Sequence, residues 1–145
     1  LQIEELKSVT TTYPRNLAAL EEIVADTARQ FAAFGIDDSL RDTVDLAIEE
    51  LFVNMVKYNR GAAHDIALDI HPIDNGVEVS LTDFDVDRFD PSQPVTVDID
   101  APLAEREPRG LGLYLIHKMV DSIQYEYRNR QSRITITKRV EHADV

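Results

Sequence analysis

Between His64 and Leu81 the chain allows few folds. Ile66, Leu68 and Ile70 alternate with polar residues, Asp74-Asn75-Gly76 follows, and Val77, Val79 and Leu81 alternate again. A period of two puts each apolar set on one face of an extended segment, and an Asn-Gly turn folds the two segments back on each other. The expected product is an antiparallel hairpin with one oily face, which other elements must cover. Its second strand ends by delivering Asp83.

Helical patterns supply the cover. Asn16 can cap a segment that carries Leu17, Leu20, Ile23, Val24, Ala28 and Phe31 at helical steps until Gly35 stops it. After a short turn at Ile36-Asp37-Asp38-Ser39, residues Leu46, Ala47, Leu51, Phe52, Met55 and Val56 predict an amphipathic helix that buries them and ends near Asn59-Arg60-Gly61. Gly110 to Val120 returns to helical spacing through Leu113, Leu115, Ile116 and Val120. Ile3 to Tyr13, closed by Pro14, reads as an edge strand, and Ile123–Tyr127 with Arg133–Thr137 read as a second hairpin around Asn129-Arg130-Gln131.

The order strand, two helices, hairpin, long connection, helix, hairpin predicts an α/β (α+β) two-layer sandwich. Its sheet is mixed and mostly antiparallel, its helices lie on one face, and it forms a single domain over 1–145 with no internal repeat or interdomain linker. The connection from Phe84 to Pro108 holds Pro91, Pro94, Pro102 and Pro108 and has no helical period. Loops of that length inside a compact domain are lids or disordered segments.

Composition narrows the function. A chain of 145 residues can bury a core without staples. A formal charge of −12 argues against a surface that neutralises nucleic-acid phosphates or anionic membranes. No apolar run reaches the length of a bilayer span, and Leu1-Gln2-Ile3-Glu4-Glu5 lacks a signal-peptide layout, so the expected setting is cytoplasmic with protein partners. The start at Leu1 without a methionine fits a domain trimmed from a longer protein. Without cysteine there is no disulfide, thiolate zinc site or Cys nucleophile, and His64, His71, His117 and His142 have no metal-ligand spacing.

Three features carry chemistry. Glu50 and Asn54 stack one turn apart on one helix face, and a carboxylate with an amide in that relation can hold a divalent cation and orient a water or hydroxyl. Such pairs are also ordinary surface neighbours on many helices. Arg109-Gly110-Leu111-Gly112-Leu113-Tyr114-Leu115-Ile116 places two glycines directly before a helix, where free N–H groups and the helix dipole favour an anion, although a plain loop-to-helix entry has the same look. Asp83, Asp85, Asp87 and Asp90 lack the glycine and distal glutamate of a helix-loop-helix calcium site and read as a solvated acidic loop.

In this order, Glu50-x-x-x-Asn54, Asp83 at a strand end, a long lid and Gly110-Leu111-Gly112-Leu113 resemble the GHKL (histidine-kinase-like) ATPase superfamily and its Bergerat ATP-binding fold. The wording Leu46-Ala47-Ile48-Glu49-Glu50-Leu51-Phe52-Val53-Asn54, Phe89-Asp90-Pro91, Arg109 to Ile116 and Val120-Asp121 is similar to its anti-sigma factor serine-protein kinase branch. The resemblance covers nearly the whole chain. It implies ATP and Mg2+ as cofactors, a lid over about 84–109, and a kinase that phosphorylates a small antagonist protein of STAS type and sequesters a sigma-like factor; homodimers are frequent in that branch. It implies Glu50 as catalytic base, Asn54 as magnesium ligand and Asp83 as acceptor for the adenine amino group. Gly110 and Gly112, with Leu111 and Leu113, match the phosphate-cradling motif, and Arg109 is placed as a charge partner for phosphate.

Departures from the family pattern cluster after Asp83. Asp85 stands where glycine is usual, the stretch to Phe89 is one residue longer, and Tyr58 replaces a common histidine. A Cβ and a negative charge at Asp85 are expected to crowd the nucleotide or push the loop aside. The alternative expectation is a non-catalytic interaction module of the same fold with weak or no nucleotide binding.

Overall fold

The Asp74-Asn75-Gly76 hairpin forms the centre of a five-stranded sheet. A computed structural model describes residues 9–58, 62–87 and 108–141. Most of the expected lid, the start of the expected first strand and Asn59-Arg60-Gly61 lie outside the described residues. Strands β1 (Val9–Tyr13), β2 (Ile66–Ile73), β3 (Gly76–Phe84), β4 (Ser122–Arg128) and β5 (Gln131–Arg139) lie in the order β1-β2-β3-β5-β4, and every neighbouring pair is antiparallel.

Local turn chemistry sets the register. Ile73 faces Gly76 across the first hairpin, with Asn75 in the left-handed region at φ 58°, which Asn tolerates. Arg128 faces Gln131 across the second, and both central residues have positive φ, 51° at Asn129 and 62° at Arg130, the form that matches strand twist.

Three helices cover one face: α1 (Ala19–Phe34), α2 (Arg41–Tyr58) and α3 (Pro108–Met119). Ile66, Leu68, Ile70, Val77, Val79, Leu81, Ile134 and Ile136 from the sheet close a core with Ile23, Phe31, Phe52 and Ile116 from the helices. The opposite face is polar: Ser80 and Thr135, paired across β3 and β5, share a 2.8 Å hydroxyl bond, and Thr10 on β1 donates to Asp69 on β2. The two-layer sandwich expected from the sequence is therefore the observed architecture.

Helix α2 is turned slightly from the expected face. Leu46 and Val56 are only half-buried, whereas Val44 and Ile48, absent from the expected stripe, are in the core. The cause is that α2 touches α1, α3 and β3 together, so its buried arc is wider than one stripe. It begins at Arg41, after a 3-10 turn at Asp38–Leu40 in which Asp37 Oδ1 accepts from the Ser39 N–H at 2.9 Å.

Helix α1 starts after Asn16, whose Oδ1 accepts from the Ala18 N–H at 2.9 Å and so orders the turn that leads in. Its far end is Gly35, left-handed at φ 67°, and the Gly35 and Ile36 N–H groups both return to the Phe31 carbonyl. Tyr13 fastens β1 to α1 through its hydroxyl, which donates to Asp26 Oδ2 at 2.7 Å. No atom lies within 4 Å of where a Cβ would sit on Gly35, so Gly35→Ala meets only a backbone penalty. Urea denaturation should show a loss of about 1 kcal/mol; an unchanged midpoint would mean the cap does not hold this conformation in solution.

Candidate functional site

Glu50 on α2 and Gly112 on α3 mark the approach of the two helices. A Cβ added at Gly112 would overlap the Glu50 carboxylate. Gly112 does not have a positive φ, so its lack of a side chain serves close approach and not backbone freedom. Crowding also takes water from Glu50: burial raises its pKa above the ordinary carboxylate range, the neighbouring Glu49 charge adds to the rise, and Lys57 opposes it.

One turn along the same face of α2 lies Asn54, only 4% exposed. Its Nδ2 has no hydrogen-bond partner among the described residues. An unmet buried amide costs about 1–3 kcal/mol, which a ligand at this position would recover. The pairing of Glu50 with Asn54 read from the sequence is thus joined by Gly112, which arrives from far along the chain.

The entry to α3 differs from the expected one. The helix begins at Pro108, so Gly110 and Gly112 lie inside its first turns and not before it. Proline suits a first helical position because its fixed φ is helical and its missing N–H has no intrahelical role there. Among its described residues, the free backbone donors of this terminus belong to Arg109 and Gly110. Leu113 packs into the core beside Ile116, so its side chain is structural.

Asp83 sits near the end of β3 on the helix-covered face, opposite Ser132 of β5, and is 0% exposed. It is ion-paired with Arg15 Nη2, a residue that nothing in the sequence singles out. Arg15 also donates from Nε to the His64 carbonyl at 2.9 Å and from Nη1 to the Met55 carbonyl at 3.2 Å. Burial lowers the Arg15 pKa and the nearby Asp65 charge opposes that, but a guanidinium remains a cation under such conditions. Its partners lie far away in sequence, so only the folded chain reveals it.

Asp85 turns toward the neighbouring hairpin. It takes φ 57°, so an aspartate adopts the left-handed conformation that glycine favours. Its side chain is 64% exposed and faces Arg130, which donates from Nε at 2.9 Å and holds the Asp85 pKa below its ordinary value. Arg130 also binds Asp87 at 3.1 Å, the Val86 N–H donates to the Arg130 carbonyl at 3.0 Å, and the Tyr127 hydroxyl donates to the Val86 carbonyl at 2.8 Å. The segment after β3 is therefore clasped to the β4–β5 hairpin with its carboxylates outward. Asp83 thus pairs with Arg15, while the Asp85 side chain pairs with Arg130.

The model of the histidine kinase-like ATPase domain family matches residues 13–138. No curated protein matches the sequence. Among solved structures, the RsbU and RsbW domains of Rv1364c from Mycobacterium tuberculosis superpose with a TM-score of 0.61 at 19% identity, over 91% of this chain and 32% of that one. The Acinetobacter baumannii histidine kinase AdeS gives 0.47 at 18% identity, over 92% of this chain and 68% of that one. This chain thus spans about a third of the length of the solved mycobacterial chain, and the likeness is one of fold.

Two measurements probe the contact between α2 and α3. Gly112→Ala should cost about 1–3 kcal/mol in urea denaturation through steric overlap, and most of that cost should vanish when Glu50→Ala is also present; full additivity would place the two residues apart. The second concerns charge. Because the folded protein raises the Glu50 pKa, it binds that proton more tightly than the unfolded chain, and stability is lost as pH rises through the raised value. Glu50→Gln should therefore melt higher than wild type above that window and alike below it, whereas a difference independent of pH would contradict a buried charge at Glu50.

Proposed function

The chain belongs to the histidine kinase-like ATPase domain family, and on that premise we propose that it is an ATP-dependent serine-protein kinase acting as an anti-sigma-type regulator. The observation that carries this reading is the Glu50 carboxylate held against Gly112, with the unmet amide of Asn54 one turn away.

Each residue has a task suited to its chemistry. Glu50, with a pKa raised by burial, takes the proton of a serine hydroxyl or a water as general base. Asn54 would hold Mg2+ through its amide oxygen, since magnesium accepts one or two protein ligands and fills its other positions with phosphate and water. Arg109 and Gly110 would present backbone donors to the phosphates, Gly112 leaves the room, and Asp83 would accept from the adenine amino group. Bound Mg-ATP supplies the phosphoryl group and neutralises its charge; positioning of the acceptor and removal of its proton fall to the chain.

The partners proposed are a sigma-like factor and a STAS-type antagonist bearing the acceptor serine. A net charge of −12 suits basic patches on such proteins. The ion pair of Arg15 on Asp83 supports a second reading, a non-catalytic interaction module, because the base acceptor already has a partner.

Calorimetry with Mg-ATP followed by labelled phosphate transfer to a STAS-type protein separates the two. On the kinase reading, wild type and Glu50→Gln bind Mg-ATP alike while transfer falls by about 10²–10⁴-fold in the variant. Unchanged transfer would remove Glu50 as base, and no heat at millimolar Mg-ATP would leave the interaction module standing.

A further inference from the structure

Arg15 reaches acceptors from three parts of the fold. Its guanidinium meets the His64 carbonyl ahead of β2, the Met55 carbonyl on α2 and the Asp83 carboxylate on β3. The side chain is 11% exposed and its carboxylate partner is 0% exposed. A cation so anchored is built into the site, since removing one member of a buried pair strands the other charge.

The chemistry of the pair bears on which base the site reads. An aspartate that recognises adenine does so by accepting from the 6-amino group, a neutral donor. A guanidinium is a charged donor and forms the stronger bond to the same carboxylate. A 6-keto purine carries an acceptor oxygen in place of the amino group, and the one donor it keeps beside that oxygen is its N1–H, displaced from where the amino group would meet Asp83. Its oxygen is instead an acceptor that a guanidinium can satisfy.

We propose that Arg15 is a specificity-determining residue: its guanidinium holds the base acceptor Asp83, so the adenine amino group competes with Arg15 for that carboxylate. This rests on the reading of Asp83 as base acceptor in an ATP site. The consequence is a site that distinguishes adenine from a 6-keto purine weakly while Arg15 is present and strongly once it is removed. Arg15 also donates to the carbonyl of Met55, the residue after Asn54, so its displacement by adenine is felt at the turn that carries the magnesium ligand.

The test compares Mg-ATP with Mg-inosine triphosphate by calorimetry on wild type and Arg15→Met, which keeps an apolar stem and loses every donor. Whether or not the freed Asp83 takes up a proton, it keeps an oxygen that can accept from the amino group. Wild type should bind the two nucleotides with similar affinity, and Arg15→Met should move the ratio toward ATP by about tenfold or more, the worth of one charged hydrogen bond. An unchanged ratio with both nucleotides bound overturns the competition and leaves the ATP site in place. No binding of either nucleotide by either protein overturns the ATP site and the competition together. If Arg15→Met does not fold, wild type alone decides: the Arg15 Nε–H resonance should shift and exchange faster with saturating ATP and respond little to inosine triphosphate, and equal responses overturn the proposal.

Discussion

A glutamate carboxylate pressed against a glycine sets the geometry on which the candidate site depends. Glu50 and Gly112 meet because α2 and α3 cover the same oily face of the sheet, and any side chain at Gly112 would drive the helices apart. The closeness also strips water from Glu50 and raises its pKa. Packing and acidity are therefore one event here: the fit that joins two helices also raises the Glu50 pKa.

The strands supply the other end of the site. Alternation along β3 puts Val77, Val79 and Leu81 into the core and, two residues further, sends Asp83 to the same face. A buried carboxylate at the end of an apolar row demands a partner, and Arg15 provides it. Just beyond, the chain turns through Asp85 and is caught by Arg130 of the neighbouring hairpin. Two aspartates so close in sequence thus have opposite fates, one inside with a buried cation and one outside with an exposed cation.

Local signals were legible in the sequence. Asp74-Asn75-Gly76 and Asn129-Arg130-Gln131 are read from turn chemistry that needs no distant residue, and the alternation around them gives the sheet its buried face. Glu50 and Asn54 were visible as one helical face, although the reason for Gly112 beside them was not. Helical spacing placed the start of α3 too late because Pro108 was read as loop punctuation, while proline also fits a first helical turn. Arg15 left no trace, since its three partners come together only in the folded chain. The Cβ and charge of Asp85 are local facts that the sequence shows, whereas its pairing with Arg130 is not.

On the proposed function, the facing surfaces of α2 and α3 form a nucleotide-phosphate site. Its most direct test is a nuclear magnetic resonance titration of the labelled protein with Mg2+ and a non-hydrolysable ATP analogue, following the Asn54 side-chain amide and the Gly112 backbone amide. Both should shift along one binding curve, because one ligand meets both helices. If the nucleotide binds while these two signals stay still, the site lies elsewhere and the meeting of Glu50 with Gly112 is packing alone.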